Sequence, residues 1–279
     1  MNKQGELNLM EFELSIITVC YNCKDDLVKT LNSVESQIIL NNNILKRVEY
    51  LIVDGASNDG TLNVAQNWKN TTNHDNLDII ICSEKDNGIY DAMNKGIGLC
   101  KGKWVMLLNA GDTFHSTNDL NSLMTFLNSE QSDIVYANYC RVNEYLTRFT
   151  TIQNLSVLKK TMIFCHQATV VQKKIYEEYM YDLSYKLVAD YAYFLKAYLN
   201  KKKFSYFDYF LIDYDVNGES AKQMLNTYKE MRKVRKDLLG SKLGVADNIS
   251  YVMGLIKRFI LSNIPQKLRW IVFSIVKKS

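Results

Sequence analysis

The 279-residue chain is 47% apolar and 23% charged, long enough to bury one large core and too hydrophobic to be a disordered polyelectrolyte. Its net charge of +4 hides an asymmetry: from Lys222 onward there are 13 Lys or Arg against Glu230, Asp237 and Asp247, near +10, which leaves the rest near −6. Two regions are expected, a slightly acidic domain over 1–221 and a basic segment over 222–279. The apolar run Leu14–Cys20 follows no basic segment and precedes no small-residue cleavage site, so a signal peptide is not expected and the cytosol is. Cysteines at 20, 23, 82, 100, 140 and 165 read as reduced thiols buried as small apolar residues, and the Cys20-x-x-Cys23 pair, lacking a second pair or a histidine cluster, reads as incidental.

In chain order, four segments repeat one pattern of apolar run, polar turn and helical period. LSIITV (14–19) precedes DDLVKTLNSVESQ, VEYLIVD (48–54) precedes DGTLNVAQNWKN, LDIIIC (77–82) precedes GIYDAMNKGIGLC, and KWVMLLN (103–109) precedes NDLNSLMTFLN. Runs of β-branched residues without alternation predict strands covered on both faces, hence an α/β chain with a mostly parallel, Rossmann-like sheet flanked by helices. Strand-like runs follow at 132–137 and 168–171, then a helix from about Leu187 or Val188 with Asp190 in its first turn, the strand KKFSYFDY and a closing loop at 216–220. Within the helix after the third strand, Gly96 and Gly98 signal either close approach to the sheet or nucleotide, or fraying.

In such sheets ligands bind beyond the carboxyl ends of the strands. Those ends are Thr18–Asn22, Asp54–Asp59, Ser83–Gly88 and Asn109–Asp112, all rich in polar and turn-forming residues. Helix capping and turn closure are alternative uses for each, Asp59 and Asp86 in particular.

Taken together, SIITVCYN, YLIVDGASNDGT, SEKDNGIYDAMNKGI, GKWVMLLNAGD and LVADYAYF resemble the family 2 inverting glycosyltransferases of GT-A fold, closest to those of bacterial surface-polysaccharide gene clusters. The resemblance covers about residues 13–220. It implies transfer of a sugar from a nucleotide-sugar donor, UDP-linked, to a lipid-linked or oligosaccharide acceptor in O-antigen, capsule or exopolysaccharide synthesis.

The resemblance assigns Thr18, Tyr21 and Asp54 to the base and ribose, with Asn22 beside them and Glu84, Asp86 and Asp91 around the third strand end. An aromatic ring can stack on a base and a carboxylate can accept its imide N–H; a half-buried core tyrosine is the alternative for Tyr21. The family's Asp-x-Asp metal motif is here Asn109-Ala110-Gly111-Asp112, so Asp112 is the carboxylate that inherits a role towards Mn²⁺ or Mg²⁺, with Asn109 offering a carbonyl oxygen. A plain strand-ending turn is the other reading. Inversion needs one general base opposite the leaving group, and the resemblance gives that role to Asp190, whose alternative is an acid favoured by the helix dipole. His166 and Gln167 are assigned to the acceptor or sugar pocket.

The basic segment carries two apolar stretches, Ile249–Leu261 and Leu268–Val276, each too short to span a bilayer and each flanked or interrupted by Lys and Arg. A basic, amphipathic helical extension lying on an anionic membrane surface is expected, which would hold the enzyme on the cytoplasmic face of a bacterial plasma membrane. A dimerisation element making a homo-oligomer, or a cover for the sheet, is the alternative. No nucleic-acid-binding motif accompanies the charge. The rival functions are a sugar nucleotidyltransferase, which lacks its Gly-rich basic phosphate loop here, and a catalytically inactive nucleotide-sugar-binding scaffold.

Overall fold

A computed structural model describes residues 12–40, 47–72, 77–116, 120–142, 147–150, 154–215, 223–240 and 252–254. In its first half, β1 (Leu14–Cys20), α1 (Lys24–Leu40), β2 (Val48–Asp54), α2 (Thr61–Thr71), β3 (Asp78–Ser83), α3 (Ile89–Leu99) and β4 (Trp104–Leu107) alternate. The four strands pair in parallel in the order β3-β2-β1-β4. Every residue of β1, β2 and β4 is buried, which is why their sequences run apolar instead of alternating. The buried Glu49 accepts from Ser15 Oγ at 2.6 Å, from the Gly102 N–H at 3.0 Å and from the Lys101 N–H, so it fixes the turn between α3 and β4. At Gly96 a Cβ would stand 2.6 Å from Ile17 Cγ2 and 3.1 Å from Val53 Cγ2, so α3 lies with its backbone against β1 and β2. Close approach to the sheet therefore explains Gly96; Gly98 has open space around it.

The second half adds β5 (Thr113–Phe114), α4 (Leu120–Ser129), β6 (Ile134–Val142), β7 (Thr147–Thr150), β8 (Thr169–Gln172), α5 (Lys173–Glu178), α6 (Ala189–Leu199) and β9 (Phe204–Asp215). The sheet becomes mixed, in the order β3-β2-β1-β4-β8-β6-β9-β5 with β7 on β6; β8 runs antiparallel to both neighbours and β9 parallel to β6. One face of the sheet packs on Leu27, Leu31, Trp68 and Leu123 from α1, α2 and α4, the other on Met93, Tyr176 and Phe194 from α3, α5 and α6. The sixth helix starts at Ala189 instead of 187 or 188, because Val188 takes a non-helical φ of −142° and ψ of 34°.

Beyond residue 221, α7 (Met224–Leu239) packs on this body. Val234 is buried, Arg235 Nε donates to the Lys159 carbonyl at 3.0 Å, and Tyr185 donates to Asp237 Oδ2 at 2.8 Å. The charge shift at 221 thus does not coincide with a break in packing. Apart from 252–254, the two apolar stretches of the tail lie outside the described residues. Among the described residues no helix is long and apolar enough to cross a membrane.

Candidate active site

The C-terminal ends of β1 and β4, the turn before α3, the segment 162–167 and the start of α6 enclose a cleft of about 710 Å³. One corner is aromatic and acidic. Tyr21, 62% exposed, follows β1, and a Cβ on Gly55 would come within 3.1 Å of its ring and collide with Asp86 Oδ2. Glycine at 55 thus lets the ring and the carboxylate converge. Asp86 is fixed by accepting the Gly88 N–H at 2.8 Å, in the turn that starts α3.

The other residues predicted here build this corner from behind and do not line the cleft. Thr18 is fully buried and bonded to the Tyr50 hydroxyl at 2.7 Å. Asp54 is fully buried and accepts from Ser83 Oγ at 2.6 Å and the Ser57 N–H at 3.1 Å, tying β2 to β3. Asn22, at φ 46°, donates its N–H to Ser57 Oγ at 2.8 Å and accepts from the Asn58 N–H at 2.9 Å, locking two loops together. Asp91 accepts the Asn87 N–H at 2.8 Å and closes the first turn of α3. Glu84, half exposed, pairs with Lys95 at 2.9 Å on the outer side.

The turn after β4 is held from α1. Thr30 Oγ1 donates to the Asp112 carbonyl at 2.8 Å and receives the Gly111 N–H at 2.9 Å. Gly111 sits at φ 99°, a conformation open to glycine and strained for any L side chain. The glycine that replaces a carboxylate at the third position of Asp-x-Asp therefore takes this turn without strain. Asp26 fills the space: its Cβ and Cγ lie 3.6 Å from where a Cβ on residue 111 would be.

Asp112 lines the cleft but is buried, with Oδ1 accepting the Asp215 N–H at 3.0 Å and Oδ2 accepting from Gln167 Nε2 at 2.7 Å. Burial pushes its carboxyl up to about 7 against the lowering effect of those bonds. An ionised Asp112 is therefore short of positive charge. Asn109 lines the same cleft with a buried Oδ1 that has no hydrogen-bond partner, and Asp26 and Asp215 add carboxylates beside it. The orphaned Asn109 Oδ1 in the same turn as the Asp112 carboxylate is the hard-oxygen pair that suits a divalent cation here.

Opposite this turn, Asp190 lies in the first turn of α6. Its Oδ1 accepts from Tyr90 Oη at 2.9 Å and from the Tyr191 N–H at 2.8 Å, and its Oδ2 meets His166 Nδ1 at 3.1 Å. Burial pushes the carboxyl up, but His166 together with the Tyr191 N–H and the Tyr90 hydroxyl holds it below the usual carboxylate value. Tyr90 is pushed well above the usual phenol value by its own burial and by the Asp190 charge. His166 Nε2 lies 3.3 Å from Asn109 Nδ2, so with Nδ1 protonated the imidazole bridges the two sides of the cleft.

Of the predicted site residues, the structure brings Tyr21, Asp86, Asn109, Asp112, His166, Gln167 and Asp190 to one cleft. Sequence reasoning missed Asp26, Tyr90, Arg141, Lys186 and Asp215, which also line it. Arg141 and Lys186 are the cleft's exposed cations. Tyr90 lay within a quoted motif, but nothing local pointed it at Asp190, a hundred residues away.

The model of "Glycosyl transferase family 2" matches residues 15–201, two thirds of the chain and every strand end just described. The chain belongs to this family. A PGL/p-HBAD biosynthesis glycosyltransferase of Mycobacterium bovis is 29% identical over 159 residues, 54% of this chain and 59% of that protein. The UDP-Glc:alpha-D-GlcNAc-diphosphoundecaprenol beta-1,3-glucosyltransferase WfaP of Escherichia coli is 28% identical over 128 residues, 45% of each chain. The chain thus spans about half the length of these curated relatives. S. aureus TarS 1-349 in complex with UDP superposes with a TM-score of 0.63 at 17% identity over 92% of this chain and 77% of that one. Mannosyltransferase PcManGT from Pyrobaculum calidifontis, in complex with GDP-Man and Mn²⁺, gives 0.60 at 15% identity over 80% and 62%. At these identities the structural likeness shows a shared fold.

Proposed function

We propose that the cleft binds a UDP-linked sugar and transfers it, with inversion, to a hydroxyl of a lipid-linked or oligosaccharide acceptor used in building a bacterial surface glycan. The observation that carries this reading is Asp190, an ionised carboxylate fixed by three hydrogen bonds in the cleft whose opposite corner holds Tyr21 and Asp86. The names of two relatives support the chemistry: WfaP is named for UDP-Glc and a diphosphoundecaprenol-linked sugar, and TarS is described with UDP.

In this reading Tyr21 stacks on the base and Asp86 accepts from its edge. Arg141 and Lys186 supply positive charge to the pyrophosphate. A divalent cation held by Asn109 Oδ1 and Asp112, with Asp26 and Asp215 beside them, would add electrophilic stabilisation of the leaving diphosphate. Asp190 takes the proton of the acceptor hydroxyl as that oxygen attacks the anomeric carbon. His166 keeps Asp190 ionised and oriented, and Gln167 holds Asp112. The basic tail beyond α7 would bring the enzyme to the inner face of the plasma membrane, where a lipid-linked acceptor lies.

Asp190→Asn tests the assignment. Transfer should fall by about 10²–10⁴-fold, the usual contribution of a general base, while UDP-sugar binding measured by calorimetry stays within twofold. Near-full transfer by this variant removes Asp190 from the mechanism. Donor binding by the wild type with no turnover on any of a panel of acceptors would instead identify a donor-binding scaffold.

A further inference from the structure

Behind the wall formed by β6 and β9, outside the cleft, the side chains of His115, Cys140 and Asp213 converge. We propose that they bind a zinc ion that staples β5, β6 and β9 together. His115 Nδ1, Cys140 Sγ and an Asp213 carboxylate oxygen all lie within 4.8 Å of one another. The imidazole nitrogen is 2.6 Å from Asp213 Oδ1 and 3.6 Å from Cys140 Sγ.

With Nδ1 protonated, the imidazole and the Cys140 thiol both donate to the one Asp213 carboxylate, so all three ligand atoms face a common point. A shared cation satisfies all three donors at once. Around tetrahedral zinc, with bonds of about 2.0–2.3 Å, neighbouring donor atoms stand roughly 3.5 Å apart. The sulfur–nitrogen separation already has that value, and the nitrogen–oxygen pair would open by less than ~1 Å. Binding releases the thiol proton of Cys140 to solvent and uses the Nδ1 lone pair of neutral His115.

The mixture of thiolate, imidazole and carboxylate separates this site from the oxygen donors of Asn109 and Asp112 in the cleft, which suit harder ions. Cys140 is fully buried, whereas the side chains of His115 and Asp213 are 16% and 28% exposed, so solvent reaches the site from their side. The register explains what the ion would do. Asp213 stands opposite Cys140 on β6 and opposite Thr113 on β5, a strand of two residues. Asp213 directly precedes Tyr214 and Asp215, and Cys140 lies between Tyr139 and Arg141, all four of which line the cleft. A staple here would fix that wall without touching the reacting groups.

The test is titration of metal-depleted, reduced full-length protein with Co²⁺, which reports thiolate ligation by a charge-transfer absorption, followed by displacement with Zn²⁺. One equivalent should saturate the band, and Zn²⁺ should raise the melting temperature by several degrees. Cys140→Ser should abolish the band and most of the shift, whereas Cys82→Ser should keep both. If Cys140→Ser does not fold, His115→Gln serves instead and should weaken Co²⁺ binding at least tenfold. Absence of the band in the wild type, or its persistence in Cys140→Ser or at full affinity in His115→Gln, overturns the proposal.

Discussion

Replacing Glu230 with Ala removes the side chain that receives the backbone ahead of α6. Its Oε1 accepts the Lys186 N–H at 2.8 Å, and its Oε2 accepts those of Leu187 at 2.6 Å and Val188 at 3.0 Å. Lys186 is exposed and its N–H will find water; those of Leu187 and Val188 are partly buried and will be left short. At roughly 1–2 kcal/mol for each of these two stranded donors, the loss is about 2–4 kcal/mol. In a chain of this size that corresponds to a fall of roughly 4–16 °C in melting temperature. Asp190 lies two residues past Val188, and a 1 Å misplacement of a reacting group costs on the order of 10²-fold. Turnover should therefore fall roughly 10–100-fold. The donor KM should rise less than kcat falls, because Tyr21, Gly55 and Asp86 stand on the other side of the cleft and, of the donor contacts proposed above, only Lys186 is held by this clamp. Glu230→Gln should fall between, since its carbonyl oxygen can still serve Leu187 and Val188 while its amide turns to water. Melting curves and transfer kinetics on the three proteins decide the matter. An Ala variant that melts within a degree of wild type and turns over within twofold would refute the clamp, and so would a rise in KM at constant kcat.

Tyr90→Phe removes a hydrogen bond to ionised Asp190, so kcat should drop about tenfold, in line with roughly 1.5 kcal/mol for a bond to a charged group; an unchanged kcat would show that Tyr90 only packs. Asp112 titrates near 7 in the fold against about 3.9 when unfolded, so the native state holds its proton more tightly and stability is lost as pH rises from about 4 to 7. Between pH 5 and 7 the metal-depleted wild type should lose roughly 2–3 kcal/mol relative to Asp112→Asn. Urea unfolding at the two pH values measures this difference, and parallel pH profiles for the two proteins would rule it out. Gly96→Ala drives a methyl into Ile17 and should cost about 1–3 kcal/mol, whereas Gly98→Ala, with nothing within 4 Å, should stabilise by roughly 0.4–1 kcal/mol; chemical denaturation that ranks them the other way would contradict the packing of α3.

The parallel half of the sheet was legible because its signal is local: each buried strand is one uninterrupted apolar run followed by a turn and a helical period. Strand order and register are not written in those runs and appear only in the pairing β3-β2-β1-β4. The strand ends converge on one cleft, but only some of their polar residues line it. A polar residue at a strand end can line a cleft or hold its loops; Thr18, Asn22 and Asp54 do the second, and the sequence carries no mark that separates the two. Buried hydroxyl and carboxylate groups need partners wherever they sit, and theirs are Tyr50, Ser57, Asn58 and Ser83, supplied from other elements. Arg141 and Asp215 escaped notice because β6 and β9 extend well past the runs that announced them. Glu230 escaped because a lone acid in a basic helix looks like charge balance. Its use appears only when α7 is laid beside α6.

The division of the cleft follows from that topology. The parallel half presents loops at one edge, which suits a ligand approached by backbone turns such as those at Gly55 and Gly88. The antiparallel half inserts β8 beside β4 and so brings His166 and Gln167, just ahead of that strand, against Asn109 and Asp112. This single pairing joins the candidate leaving-group side of the site to the candidate base, because His166 touches both Asn109 and Asp190. A change in the charge or position of the β4 turn is therefore felt at Asp190 through one imidazole. The departure from Asp-x-Asp then has a structural logic beyond the missing carboxylate. With asparagine at 109, the amide can donate to His166 Nε2, which leaves Nδ1–H to face Asp190 and keeps this candidate base ionised. A carboxylate at 109 would instead compete with Asp190 for the imidazole proton.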